Sequence, residues 1–224
     1  MPETIVLNGW AASAHAWDLC RFMKAQAPHG RPPSLFSYID QLDGLPEAAM
    51  AEDRRFVLVG WSMGGTSALR LACMQPGKVA GLVLIAATPR MMEDRDTGWK
   101  GMSPLRLAAL RRGLEITRGQ GLFGIPAGRP NPYMEDSPEN LERGLKYLRE
   151  TDLRGDLERI FGGGCGFPVH IMQSERDGIV RSANADYLKK LFPKARVTTV
   201  AGGEHALPIW IPGKIDEAVA SIMV

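Results

Sequence analysis

The chain has 224 residues, 45% apolar and 23% charged, with a formal net charge of +2. That is enough for one domain with a substantial core, and it excludes a disordered chain. The near-neutral balance and the absence of any long lysine or arginine run give no basis for nucleic-acid binding. The start, Met1 Pro2 Glu3 Thr4 Ile5, lacks a basic stretch leading into an apolar core, so no secretory signal is expected, and no run approaches a membrane span. Cys20, Cys73 and Cys165 are odd in number and far apart. They predict reduced thiols in a cytoplasmic protein without a metal or other cofactor, Cys73 being helix core.

In chain order, Ile5 Val6 Leu7 reads as a short buried strand that runs into Asn8 Gly9 Trp10 and the small residues Ala11 to Ala14. Trp17, Leu19, Cys20, Phe22 and Met23 give a helical stripe over 16–26, ended by Pro28, Gly30, Pro32 and Pro33. A second short strand is predicted over 35–39 and a short helix over 45–52. Phe56 Val57 Leu58 Val59 is a continuous apolar run, as in a strand buried on both faces. Leu69, Leu71, Ala72 and Met74 then carry helical spacing over 66–75, and 79–87 is another apolar strand. The stretch 90–166 is polar and punctuated by Gly and Pro, with helical patches over 104–117 and 138–160. Strand pattern returns at 167–173 and 196–200, with helices over 182–191 and 214–223. One interruption in an alternation of strand and helix predicts an α/β architecture: a mostly parallel sheet of about six strands flanked by helices, with a helical lid after the fourth strand. The core is expected to span 1–89 and 167–224 and the lid 90–166.

The chemistry centres on Gly60 Trp61 Ser62 Met63 Gly64 Gly65, a Gly-x-Ser-x-Gly pattern between a strand and a helix. A serine at such a corner sits in a strained turn, and the glycines stand where a Cβ would collide with neighbouring backbone. The helix that begins there points free amides and its positive dipole end at the site. A serine hydroxyl needs a base, and the base an orienting acceptor, in the chain order Ser, acid, His. His205, in a loop after the last strand, hangs where a base must. His15 comes too early, His29 lies among loop residues, and His170 alternates inside a strand where a satisfied core role fits. For the acid, Asp177 follows the strand ending near Gln173; Glu175 competes, and Asp186 lies within the next helix. The oxyanion donors are expected to be the Met63 amide and, from the loop after the first strand, the Trp10 amide, with Gly9 permitting the turn and the Trp10 ring free to serve as core.

These residues resemble the α/β-hydrolases over nearly the whole chain. Asn8 Gly9 Trp10 and Gly60 Trp61 Ser62 Met63 Gly64 Gly65 are similar to the pimeloyl-acyl-carrier-protein methyl ester esterases of biotin synthesis. The resemblance implies Ser62 as nucleophile, Asp177 as acid, His205 as base, and Trp10 with Met63 as the oxyanion hole. Two features depart from the family pattern: Asn8 stands where His is usual, and an initial strand hairpin is missing, which implies the strand order 2-1-3-4-5-6.

Over 100–130 the basic residues Lys100, Arg106, Arg111, Arg112, Arg118 and Arg129 face only Glu115 in sequence. An acidic carrier protein could dock there through Arg111, Arg112 and Arg118, the partner that the resemblance also implies, or these are solvated helix residues. Leu105, Leu107, Leu110, Leu114 and Ile116 with Phe123 would line an acyl pocket or pack on the domain. The expected protein is a monomeric serine carboxylesterase acting on a small acyl ester, with no nucleic acid or membrane as partner. Against it stand a broader small-ester or C–C bond hydrolase and a non-catalytic binding protein of the same fold. Ser62 excludes a dehalogenase, which needs an aspartate there.

Overall fold

In the computed structural model, which describes residues 2–24, 32–51, 53–117, 132 and 137–223, the apolar runs pair into one sheet. Its strands are β1 (Glu3–Leu7), β2 (Ser34–Phe36), β3 (Phe56–Trp61), β4 (Val79–Ile85), β5 (Val169–Ser174) and β6 (Arg196–Val200). They lie in the order β2-β1-β3-β4-β5-β6, and every neighbouring pair is parallel. This is the expected order. All six residues of β3 are buried because helices cover both faces, and the two-residue period divides them between two cores. Leu58 packs with Leu82 and Ile171 under α3 (Met63–Met74), α6 (Arg154–Phe161) and α7 (Ala183–Leu191). Val57 and Val59 pack with Val83 and Ile85 under Trp17 and α9 (Pro212–Ala220).

Several boundaries differ from the sequence reading, each for a local reason. No helix forms over the described part of 16–26. Ala14–Trp17 and Arg21–Met23 are separate 3-10 turns, since the Phe22 amide is taken by Asp216 Oδ1 of α9 at 2.9 Å and Cys20 is extended between them. β2 stops at Phe36 because Ser37 and Asp40 form a reciprocal capping box that starts α1 (Tyr38–Leu42). α2 (Leu45–Ala49) follows. β4 ends at Ile85 as Ala86 turns to φ 46°.

Between β4 and β5 lie α4 (Pro104–Thr117), α5 (Pro138–Glu150) and α6. The patch expected over 138–160 breaks at Asp152, which Arg90 and Arg154 both grip. α6 buries Leu157 and Phe161 in the sheet core, whereas α4 and α5 lean on a third cluster of Tyr38, Met63, Met91, Met102, Leu148 and Val180. The last helices are α8 (Leu207–Trp210) and α9. Cys73 is only half-buried. No described helix is long and apolar enough to cross a membrane.

The loop carrying Met91 and Met102 is tied down by charge. Arg154 Nη2 lies 2.8 Å from both Asp94 Oδ2 and Asp152 Oδ2, its guanidinium 5.3 Å over the Trp99 ring. Hydrogen bonds from Arg154 hold the Asp94 and Asp152 carboxyls at about 2, against an ordinary 3.8. A carboxyl depressed in the folded state stabilises it above the unfolded pKa, and that gain is lost as the pH falls through the folded pKa. Arg154→Met should therefore lower the melting temperature by about 2–4 °C at pH 7. Thermal denaturation across pH should show the deficit shrinking between pH 3.8 and 2; a constant deficit would assign the loss to packing.

Candidate active site

Ligands of parallel sheets bind beyond the carboxyl ends of the strands, and four loops meet there. They are the loop after β1 with Gly9 and Trp10, the elbow after β3 with Ser62, the turn after β5 with Asp177, and the loop after β6 with His205. The elbow is set by close packing. A Cβ at Gly64 would fall on the Leu7 carbonyl, one at Gly60 on the Gly64 carbonyl, and one at Gly65 on the Ala87 side chain. Ser62 is thereby held at φ 57°, ψ −118°, a backbone region costly for a residue with a side chain. Its hydroxyl faces the site.

Ser62 Oγ lies 2.8 Å from His205 Nε2. His205 Nδ1 lies 2.8 and 3.0 Å from Asp177 Oδ2 and Oδ1. The Asp177 side chain is fully buried, His205 is 17% exposed, and Ser62 is buried. Burial alone would push the Asp177 carboxyl up. The His205 charge and hydrogen bond, with the Val180 and Ile179 amides, outweigh burial and hold it below its ordinary value. An ionised carboxylate only accepts, so Nδ1 carries the imidazole proton and Nε2 is left to accept from the serine hydroxyl.

Glu175 and Asp186 are exposed, and neither reaches His205. His15 is exposed and pairs with Asp18. His170 is buried between Thr198 Oγ1 at 2.8 Å and Ser221 Oγ at 3.1 Å, and burial lowers its pKa. Both suit structural roles. His29 lies outside the described residues. Burial pushes the Cys20 thiol up to about 12 and the Cys73 thiol to about 11, so both stay protonated and neither competes with Ser62 as a nucleophile. The described residues hold no group of three or more His, Cys, Asp or Glu that could bind a metal.

Met63 opens α3 and so has no carbonyl one turn back. Neither its amide nor that of Trp10 has an acceptor among the described residues. Asn8, the departure from the usual histidine, is a buried brace for the loop that carries Trp10. Its Oδ1 accepts from the Gly9 amide and Trp17 Nε1, both at 3.0 Å. Its Nδ2 donates to the carbonyls of Ala12 at 2.7 Å and Ser13 at 2.9 Å. All four hydrogen-bonding positions of the carboxamide are used. The Trp10 ring donates to the Leu141 carbonyl of α5 at 3.0 Å, so its core role and its amide coexist.

Sequence reasoning missed two supports of His205, the candidate base. Trp61 Nε1 donates to the His205 carbonyl at 3.0 Å, and Ser174 Oγ donates to the Gly203 carbonyl. A tryptophan beside the serine of the motif is a visible signal for the first; nothing in the sequence marks the second.

A cavity of about 420 Å³ opens above Ser62, walled by Met91, Met102, Leu107, Leu110, Leu145 and Leu148. Of the predicted apolar side of α4, Leu107 and Leu110 line it. Leu105 is 81% exposed, a correction that follows from its position in the first turn, facing away from the cavity. Leu114, Ile116 and Phe123 have side chains outside the described residues. Arg111 is paired with Glu142 of α5 at 3.0 Å, Arg112 is exposed, and Arg118 lies outside the described residues.

The candidate role of Asp177 as orienting acceptor predicts that Asp177→Asn lowers kcat by about 10⁴-fold, because an amide favours the wrong histidine tautomer. Glu175→Gln should change it less than twofold. Steady-state hydrolysis of a p-nitrophenyl ester by both variants checks the assignment, and the opposite ranking would reverse it.

Known proteins resemble this chain in sequence and in fold. An alpha/beta hydrolase family profile matches residues 5–215. The pimeloyl-[acyl-carrier protein] methyl ester esterase of Methylococcus capsulatus is 30% identical over 85% of this chain and 82% of that protein. Its namesake from Nitrosomonas europaea is 28% identical over 92% and 89%. Among solved structures, a bromoperoxidase from Bacillus anthracis superposes with a TM-score of 0.75 at 18% identity, covering 100% of this chain and 92% of that one. An esterase from Exiguobacterium antarcticum superposes with a TM-score of 0.74 at 20% identity, covering 99% and 91%. The chain belongs to the alpha/beta hydrolase family.

Proposed function

We propose that the protein is a serine carboxylesterase that cleaves a methyl ester at the end of an acyl chain presented by acyl carrier protein, the pimeloyl ester of biotin synthesis. The observation that carries it is the chain of short hydrogen bonds from Ser62 through His205 to a buried Asp177. Ser62 Oγ attacks the ester carbonyl while its proton passes to Nε2 of His205, and the developing imidazolium is stabilised by Asp177. The Met63 and Trp10 amides receive the oxyanion. His205 then protonates the departing alcohol, leaving an acyl-enzyme on Ser62. Water repeats the sequence, its proton going to His205 as it attacks, and Ser62 leaves with a proton restored.

The apolar cavity supports an aliphatic acyl chain, and the similarity to two pimeloyl-[acyl-carrier protein] methyl ester esterases supports that substrate. In this reading residues 90–166 act as a lid on a core of 1–89 and 167–224. α4 and α5 shelter the chain, and Arg111, Arg112 and Arg118 meet the acidic carrier. Arg111 would exchange Glu142 for a carrier carboxylate. The protein would work as a cytoplasmic monomer.

The purified protein should release methanol from pimeloyl-acyl-carrier-protein methyl ester and rescue a biotin-requiring strain lacking its methyl esterase; Ser62→Ala should do neither. Replacing Arg111, Arg112 and Arg118 together by alanine should cut kcat/KM for the carrier-bound ester at least tenfold and make it insensitive to salt, since exposed charge pairs are screened beyond about 8–10 Å. Hydrolysis of p-nitrophenyl acetate should be unchanged. Equal losses on both substrates would indicate a damaged lid, and no loss on either would leave a general esterase as the better description.

A further inference from the structure

Gln173 is the next-to-last residue of β5 and only 3% exposed, in a strand whose six residues are all buried. A carboxamide at such a position is costly unless its hydrogen bonds are made. Its Nε2 lies 2.9 Å from the Val180 carbonyl, 3.2 Å from the Ser174 carbonyl and 3.3 Å from Asp177 Oδ2. All three neighbours only accept, so the NH2 end of the amide must face them, and its orientation follows from chemistry. One side chain thus ties the start of the turn after β5, its far end at Val180, and the carboxylate in its middle.

We propose that Gln173 is a positioning residue for the triad carboxylate, which rests on the assignment of Asp177 to that role. The two carboxylate oxygens are held from different sides. Oδ1 accepts from the amides of Ile179 at 2.8 Å and Val180 at 2.9 Å. Oδ2, the oxygen nearer His205 Nδ1, has Gln173 as its other donor. Without that donor the two amides on Oδ1 alone resist rotation about the Cβ–Cγ bond, and Oδ2, left with the imidazole as its partner, is aligned less tightly. The Val180 carbonyl loses its partner as well. Val180 is 2% exposed and packs in the cluster that includes Met91, Met102 and Leu148 of the cavity wall. The turn that aims the carboxylate is therefore anchored into the substrate pocket through the same amide. The other charged groups around the turn, Glu175, Arg176, Arg106 and Glu204, are exposed and none is a hydrogen-bond donor to Oδ2.

Gln173→Met keeps length and volume but removes the donor. Measured on a p-nitrophenyl ester, it should lower kcat by about 10- to 100-fold, as small misplacements of reacting groups do, with KM within twofold. The distinguishing measurement is the double-variant cycle. If Gln173 acts through Asp177, adding Gln173→Met to Asp177→Asn should cost less than twofold more, whereas a general structural role would cost the same factor in both backgrounds. Should Gln173→Met not fold, Gln173→Leu carries the same test, since it also removes the donor without adding an acceptor. Its loss should exceed tenfold beside Asp177 and vanish beside Asp177→Asn. Wild-type kcat in the folded Gln173 variant with an inactive Asp177→Asn would overturn the proposal alone. Full activity of Asp177→Asn would instead overturn the triad assignment beneath it.

Discussion

The closeness of two backbones is the constraint on which the site depends. α3 starts so near β1 that a side chain at Gly64 would occupy the place of the Leu7 carbonyl, and the Gly64 carbonyl leaves no room for one at Gly60 of β3. A chain forced through that gap can reverse from strand to helix only by taking one residue into positive φ, and that residue is Ser62 at 57°. The strain is tolerated because the fully buried β3 and the buried face of α3 clamp it from both ends. The same packing brings the loop after β1 against the elbow. Gly9 there is closely packed, since a Cβ would sit 3.2 Å from the Trp61 ring, a tight contact. The candidate nucleophile and the candidate oxyanion donors are thus products of a single steric arrangement.

Around this backbone frame the polar chemistry is confined to a small island. Ser62 and Asp177 are buried and His205 is mostly covered, with apolar walls above and the sheet core below. In such surroundings a hydrogen bond is stronger and an unpaired polar atom costs more than in water. That explains why so many side chains serve position alone. Asn8 spends all four of its hydrogen bonds inside one loop. Gln41 Nε2 supports the Asn8 carbonyl from α1 at 2.9 Å, and Trp61 supports the backbone of His205. His205 is additionally flanked by the Trp61 ring, whose centroid lies 6.0 Å from the imidazole.

The legible parts of the fold were those whose cause lies within a few residues. Apolar runs gave the central strands β3 and β4, which are buried on both faces. The Gly-x-Ser-x-Gly pattern between a strand and a helix marked the elbow, and chain order pointed to Asp177 and His205, which the fold brings within hydrogen-bond reach of it because in a parallel sheet every carboxyl end lies on one edge. What stayed hidden depends on partners far along the chain. The 3-10 turns near Trp17 are shaped by Asp216, and the helix break at Asp152 by Arg90 and Arg154. Gln173 looked like an ordinary end of a strand, since its value lies in the carbonyl of Val180 and the carboxylate of Asp177 that the turn folds back onto it. The capping box at Ser37 and Asp40 was local and legible, but a strand pattern over the same residues masked it.

The central claim is that Ser62 is the nucleophile and that His205 makes it one. Exhaustive treatment with a fluorophosphonate, followed by intact-mass measurement and peptide mapping, tests this without waiting for an intermediate to accumulate. The account predicts one phosphonyl group per chain, carried by the peptide of Ser62, with labelling slowed at least a hundredfold in His205→Ala, about the scale of general-base assistance. Label on a different residue, or undiminished ester hydrolysis by fully labelled protein, would contradict it.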